Sequence, residues 1–229
     1  MGTSLWVVLV LVAGLGFPRH ADAQLSVWLP KGVSGAGGEA GVQTSNVATD
    51  FVVFGGYSYR GFLEFDLGFH YVIYNDDELV PDVTAVGLSP GLQIHPLKQD
   101  AGMPISLGLS AQLMSLAASS PALDDTGLEL NALGVSLAAA VYRFISLGTR
   151  MSVTPSVGVT FSHLSATLRN SSGTDINEDD DTSVAAALAG NFAYLTSSGV
   201  ILGLTPSLNV GGNLSFGLMF GVIGSVQHR

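Results

Sequence analysis

The chain has no cysteine and few charged residues. Without cysteine, it has no disulfide framework, thiolate metal site or thiol chemistry. Charged residues make up 11% of its 229 residues, whereas soluble domains usually contain about a quarter. Beyond the first 23 residues, no uninterrupted apolar run approaches the ~18 residues that a transmembrane helix needs. The net charge of −10 argues against a nucleic-acid partner, whose phosphates would be repelled.

The chain nevertheless has a mean hydropathy of +0.45, which is high for a sequence without a helical membrane span. Apolar surface on this scale has to be hidden from water. Only helices and closed barrels cross a bilayer with every backbone group paired. A very apolar chain with alternating segments therefore indicates a membrane barrel. The alternative is a secreted β-sandwich with an unusually apolar core.

The N-terminal segment has the features of a secretory signal peptide. An apolar stretch, Leu5–Phe17, is followed by Ala21-Asp-Ala23, which suits cleavage after Ala23. No Lys or Arg precedes the apolar stretch, and it is too short to span a membrane as a helix. We therefore expect residues 1–23 to be removed and residues 24–229 to form one β domain.

The clearest strand is predicted over Gly61–Tyr74. Large apolar residues occupy its odd positions from Leu63 to Ile73, and its even positions include Glu64, Asp66 and His70. Such a period of two is a property of β-strands. At ~3.3 Å per residue and a tilt of ~40°, the segment rises roughly 35 Å, enough to cross the ~25 Å apolar band of an outer-membrane barrel.

Alternation along the chain predicts ten strands. Their ranges are Gln24–Leu29, Val42–Tyr57, Gly61–Tyr74, Val83–Leu97, Pro104–Ala118, Leu128–Ile145, Arg150–Leu168, Thr182–Thr196, Val200–Val210 and Leu214–Val226. Pro30–Gly41, with five glycines, reads as a loop, and so do Ser119–Gly127 and the polar stretch Arg169–Asp181. If Gln24–Leu29 is only a lead-in arm, or weak strands merge, the number is eight.

The export segment, long alternating strands, short turns and polar loops together resemble small bacterial outer-membrane β-barrel proteins of the porin-like kind. The resemblance is architectural and covers nearly the whole mature chain. It implies a closed antiparallel up-and-down transmembrane barrel in the bacterial outer membrane. It also implies contact with lipid and lipopolysaccharide and insertion by the barrel assembly machinery. Such proteins usually end on an aromatic residue, whereas this chain ends Val-Gln-His-Arg229.

In a bilayer, the large apolar side of each strand faces lipid and the small polar side faces the lumen. Aromatic residues near strand ends indicate two interfacial bands: Tyr57, Tyr59, Phe62, Tyr142, Phe144 and Tyr194 near the short turns, and Tyr71 and Tyr74 near the long loops. Larger polar side chains on the inward positions are the candidates for lining the lumen: Glu64, Asp66, His70, Gln93, His95 and Gln112.

The lumen-lining set predicts a structural barrel or a narrow pore for small solutes. Alternatively, the barrel binds a surface partner or divalent cations through its acidic loops, Asp76–Glu78, Asp124–Asp125 and Glu178–Asp181. A hydrolase is a minor alternative, using Glu64 with Asp66, or His163 with Ser162 or Ser165.

We expect no enzyme, cofactor or metal site. His70 and His95 are too far apart along their antiparallel strands to share a metal. His163 and Ser162 alternate to opposite faces of their strand. Oligomeric state and cargo are left open by the sequence.

Overall fold

The computed structural model describes residues 28–29, 31–74, 83–100, 103–170, 172–211 and 213–226. They form a closed antiparallel barrel of ten long strands and one two-residue strand, β7. The strands are β1 (Ser34–Ser45), β2 (Ala48–Tyr59), β3 (Leu63–Tyr74), β4 (Thr84–Leu97), β5 (Ser106–Ser119), β6 (Leu128–Tyr142), β7 (Ile145–Ser146), β8 (Met151–Asn170), β9 (Asp175–Leu195), β10 (Val200–Val210) and β11 (Ser215–Val226).

Each long strand pairs with its neighbours in the chain, in up-and-down order. β6 continues to β8, with Leu128 opposite Asn170, and β7 adds only two residue pairs to the turn end of β8. The ring closes where β1 pairs with β11, from Ser34 opposite Val226 to Ser45 opposite Ser215. The prediction of ten strands in a closed barrel is therefore confirmed.

The two ends of the barrel differ. We call one end the turn end, because tight turns join β2 to β3 and β9 to β10 there; the first turn contains Arg60 and Gly61, both with positive φ (53° and 61°). At the opposite end, which we call the loop end, β3 ends at Tyr74 and β4 begins at Thr84. Residues 75–82, which include the acidic run Asp76–Glu78, lie outside the described residues.

The strands separate an apolar exterior from a buried interior. On β3, Phe65, Leu67 and Phe69 are more than half exposed, while Glu64 and His70 are fully buried. The same alternation runs around the ring, so the outward face is a band of large apolar side chains. A surface of this kind is stable only when lipid covers it. No helix in the described parts of the chain is long and apolar enough to span a bilayer.

The first strand was misplaced by the sequence pattern. Trp28 and Leu29 are not in a strand, and residues 24–27 lie outside the described residues. The glycine-rich stretch predicted to be a loop instead contributes most of β1. A Cβ on Gly37 or Gly41 would clash with β11 and with inward side chains on it, so these glycines permit close packing inside the barrel.

Two predicted loops also contain regular structure. Ser119–Gly127 includes a short helix, Pro121–Thr126, whose start is capped by the Ser120 hydroxyl accepting from the Leu123 amide at 3.2 Å. The predicted loop Arg169–Asp181 is mostly strand, because β8 and β9 continue to Asn170 and from Asp175. β9 pairs with β10 only from Ala186 onward, so the β8–β9 hairpin extends roughly 30 Å along the strand beyond β10.

Candidate functional site in the barrel interior

A hydrogen-bonded chain of four polar side chains runs along one wall in the middle of the lumen. His70 on β3 places Nδ1 2.9 Å from Asp50 Oδ2 on β2 and Nε2 2.6 Å from Ser89 Oγ on β4. Gln112 on β5 donates from Nε2 to the same Ser89 oxygen at 3.2 Å. Four adjacent strands thus contribute one residue each. We call this set the central network.

Its geometry follows from the pleat and from a missing side chain. All four residues occupy inward positions, which strand alternation places on one face. Gly68, two residues before His70 on the same face, leaves room for the Phe54 ring and the Ser89 hydroxyl. Phe54 packs edge-on against His70, with 5.7 Å between ring centroids and an angle of 86°. The imidazole is therefore held by two hydrogen bonds and one aromatic contact.

The order Asp50, His70, Ser89 matches the hydrogen-bond order of a serine-hydrolase relay. However, Asp50, His70 and Ser89 each have 0% of their surface exposed. A nucleophile has to meet the reacting carbon of a substrate, and Ser89 instead meets only its network partners and the packed interior. We interpret the central network as structural support, because buried polar groups cost free energy unless they are hydrogen-bonded.

A second polar cluster lies nearer the turn end. The Tyr142 hydroxyl is 2.6 Å from His95 Nδ1, and their rings meet edge to face, 5.5 Å between centroids. Gln93 and Glu64 are opposite each other on neighbouring strands and are both buried. Lys98, just beyond β4, donates to the Gly61 carbonyl at 2.8 Å. Burial lowers the pKa of Lys98 to about 8, and the negative charge of Glu64 opposes that shift.

The opposite wall carries hydrogen bonds between neutral groups. Thr205 Oγ1 donates to Asn191 Oδ1 at 2.7 Å, and Asn191 Nδ2 donates to the Thr154 carbonyl at 3.3 Å. Closer to the loop end, Gln43 Nε2 donates to Ser215 Oγ at 2.8 Å. These amides and hydroxyls are buried, so the polar layer extends around the whole lumen.

Apolar clusters close the lumen on both sides of the polar layer. The loop-end cluster includes the side chain of Leu123 from the short helix, and its members are Ala48, Val72, Tyr74, Val83, Ala85, Met114, Leu116, Leu123, Leu130, Ala132, Leu164, Ala166 and Leu168. The turn-end cluster consists of Trp28, Leu29, Tyr142, Ile201 and Ile223. The interior is therefore packed rather than open in this conformation.

Trp28 is the largest member of the turn-end cluster, with 4% of its surface exposed. The benzene edge of its indole lies against Gly203 and Gly221, where any Cβ would clash with the ring. Leu29 likewise approaches Gly35, whose added Cβ would lie 3.1 Å from Leu29 Cδ1. Trp28 and Leu29 thus enter the barrel and seal its turn end.

All six sequence-predicted lumen residues occupy inward positions. Glu64, His70, Gln93, His95 and Gln112 are buried, and Asp66 is partly buried beside Gly91. They do not form one site: His70 and Gln112 belong to the central network, while Glu64, Gln93 and His95 lie nearer the turn end.

Sequence reasoning missed Asp50, Ser89 and Tyr142 as partners. The prediction that Tyr142 and Tyr74 lie in the interfacial bands was wrong, because both side chains point inward and are buried. Tyr142 is drawn in by His95, and Tyr74 packs within the loop-end cluster.

The other candidate sites are not brought together. His163 faces outward and lies 3.1 Å from the Thr182 hydroxyl, whereas Ser162 faces inward and pairs with Ser136 at 2.9 Å. Among the described residues, no group of three or more His, Cys, Asp or Glu side chains is arranged to hold a metal ion. Asp179, Asp180 and Asp181 lie on β9 in the extended part of the β8–β9 hairpin.

No protein-family model matches the chain, and no curated protein matches it. Among solved structures, the chain is similar to the translocator domain of the autotransporter NalP from Neisseria meningitidis. The TM-score is 0.59 at 11% identity, over 98% of this chain and 99% of that one. It is also similar to the beta domain of the Bordetella autotransporter Brka, with a TM-score of 0.55 at 13% identity, over 86% of this chain and 100% of that one.

At these identities the likeness shows the fold. The chain has the architecture of bacterial outer-membrane β-barrels, and its apolar exterior suits that membrane. The protein is thus a transmembrane β-barrel of the outer-membrane class.

Proposed function

We propose that this protein is a sealed, non-enzymatic outer-membrane barrel that binds a partner at the cell surface through its β8–β9 hairpin. The observation that carries the first part is the filled lumen. Apolar clusters occupy both ends, and hydrogen-bonded polar groups fill the space between them. This packing argues against a resting pore for small solutes, since a permeating solute has to displace buried apolar side chains.

The support for a surface role comes from the unequal heights of the strands at the loop end. β8 and β9 rise beyond β10, and bacterial barrels place their longer loops outside the cell. Asp179, Asp180 and Asp181 follow one another on this exposed part of β9. Because side chains alternate, the carboxylates point to both faces of the hairpin. They favour a cationic partner, or divalent cations that bridge to lipopolysaccharide phosphates.

A conductance measurement tests the sealed lumen. We expect purified protein in planar bilayers to give no steady ion current. Trp28→Ala removes the largest side chain of the turn-end cluster and leaves the loop-end cluster intact, so it should stay silent as well. Steady single-channel currents from the unmodified protein would overturn the proposal and restore the narrow pore.

A binding measurement tests the hairpin. Protein in nanodiscs of zwitterionic lipid is titrated with a fluorescent octalysine peptide at low salt and at high salt. We expect binding that salt weakens, and several-fold weaker binding for the triple variant Asp179→Asn, Asp180→Asn, Asp181→Asn. Asp100→Asn, which removes an exposed carboxylate at the turn end, is the control. Equal binding by the triple variant and the unmodified protein would remove the hairpin as the site.

A further inference from the structure

A pocket of about 340 Å³ opens at the turn end, on the side opposite the proposed surface site. Its floor is formed by the turn-end cluster, including Trp28 and Ile201. Its walls come from the turn between β7 and β8, with Arg150 and Met151, and from Leu195 at the end of β9. The volume falls within the range of small-molecule sites. Most of the lining is apolar, so an occupant gains free energy by burying a hydrocarbon surface.

One charged donor on the pocket is available to a ligand, the guanidinium of Arg150. Arg150 is exposed, and its guanidinium makes no ion pair within the described part of the chain. Trp28 also lines the pocket, but its N–H is buried and its ring lies against Gly203 and Gly221, so a ligand meets the ring and not the N–H.

A guanidinium prefers an anion, and its planar fork of donors matches the two oxygens of a carboxylate. The apolar lining and this cation together describe one chemical class, an amphiphile with an anionic head group.

The volume limits the size of the tail. Taking ~30 Å³ for a water molecule, and about the same for a methylene group, the pocket holds about eleven such units. One medium-length acyl chain fits, whereas the two chains of a phospholipid do not. We propose that this pocket binds a medium-chain fatty acid, with its carboxylate at Arg150, beside the Trp28 ring, and its tail against Leu195, Met151 and Ile201.

Trp28 itself reports on binding. The sequence has two tryptophans, so in a Trp6→Phe variant Trp28 is the only one. The probe is 2-bromododecanoic acid, whose bromine next to the carboxylate quenches an indole that it contacts. Protein in nanodiscs is titrated with this acid and, separately, with its methyl ester, which has the same tail but no charge.

We expect saturable quenching by the acid and about tenfold weaker quenching by the ester. Arg150→Gln should weaken the binding of the acid about tenfold, the loss typical of one charge-assisted hydrogen bond. Arg60→Gln, an equal change of charge at another turn of the same end, should leave the binding of the acid unchanged. Ala193→Leu, which adds bulk to the lining, should abolish quenching while heat-modifiable gel migration shows that the barrel is folded.

Three results overturn the inference. The first is no quenching by the acid, as when the pocket is closed by the chain's own N-terminal residues. The second is equal quenching by acid and ester with no effect of Arg150→Gln, which means partition into lipid only. The third is undiminished binding by a folded Ala193→Leu variant, which places the fatty acid elsewhere. None of these results depends on the β8–β9 hairpin, so the surface proposal is tested separately.

Discussion

Removing Asp50 should destabilise the barrel more than any exposed ion pair does. Asp50→Ala leaves His70 buried with one partner fewer, and breaking a buried charged or hydrogen-bonded pair from one side costs about 3–5 kcal/mol. His70→Ala should cost a similar amount, because it leaves a buried carboxylate and Ser89 without their shared partner. The double variant should cost little more than either single variant, giving an interaction energy of about 2–3 kcal/mol.

The assay is urea unfolding in lipid vesicles, with the folded fraction read from heat-modifiable migration on gels. Two controls separate the causes. Val52→Ala, at a buried position on the same strand, loses only apolar contacts and should cost roughly 2 kcal/mol. Asp175→Asn breaks the exposed pair with Arg169 and should cost less than about 1 kcal/mol. The central network does not act as a unit if Asp50→Ala costs no more stability than Val52→Ala. The same conclusion follows if the stability losses of Asp50→Ala and His70→Ala simply add in the double variant.

Two more predictions use the same unfolding assay, and a third uses fluorescence quenching. Gly68→Ala should destabilise by about 1–3 kcal/mol, because its Cβ clashes with Phe54 and Ser89, whereas Gly55→Ala, with open space around its Cβ, should be nearly neutral. Equal effects of the two would contradict the packing described here. Lys98 binds its proton less tightly when folded than when unfolded, so its contribution opposes folding below pH 8 and fades as the pH rises from about 8 to its usual pKa. Lys98→Met should therefore gain stability relative to the unmodified protein at pH 7 and lose that advantage toward pH 10; a constant difference across this range would be evidence against the buried ammonium. Gly221→Leu should push the Trp28 ring out of the barrel and raise Trp28 accessibility to iodide quenching in the Trp6→Phe variant, while Gly224→Leu, with no close neighbour, should not.

Period-two patterning predicted most of the barrel because a lipid-facing surface and a packed interior demand opposite side chains at successive positions. β3, β5 and β8 follow this rule along their membrane-spanning parts, and their faces are as expected. The rule is uninformative where no bilayer is present. The outer part of β9, Asp175–Asp181, is polar on both faces except at Ile176, so it reads as a loop although its backbone pairs with β8.

The N-terminal strand and the central network were unpredictable for related reasons. On β1, Gly35 makes room for Leu29, and Gly37 and Gly41 make room for the backbone and side chains of β11, a requirement that appears only when the barrel is closed. β2 is apolar on both faces, with Phe51 and Val53 outward and Val52 and Phe54 inward, so alternation does not assign a face to Asp50. The partnership of Asp50, His70 and Ser89 depends on the register of three strands, which the pattern within a single strand does not report.

The pairing of β1 with β11 has a consequence for how the molecule is made. It joins residues 34–45 to residues 215–226, and bringing such distant segments together costs chain entropy that local hairpins avoid. Until β11 is synthesised, β1 and β10 remain as two open edges, each able to pair with a foreign strand. The twelve-residue strand β11 therefore closes the ring. A chain arrested before Ser215 should persist as an aggregation-prone open sheet that depends on chaperones, however stable its other hairpins are.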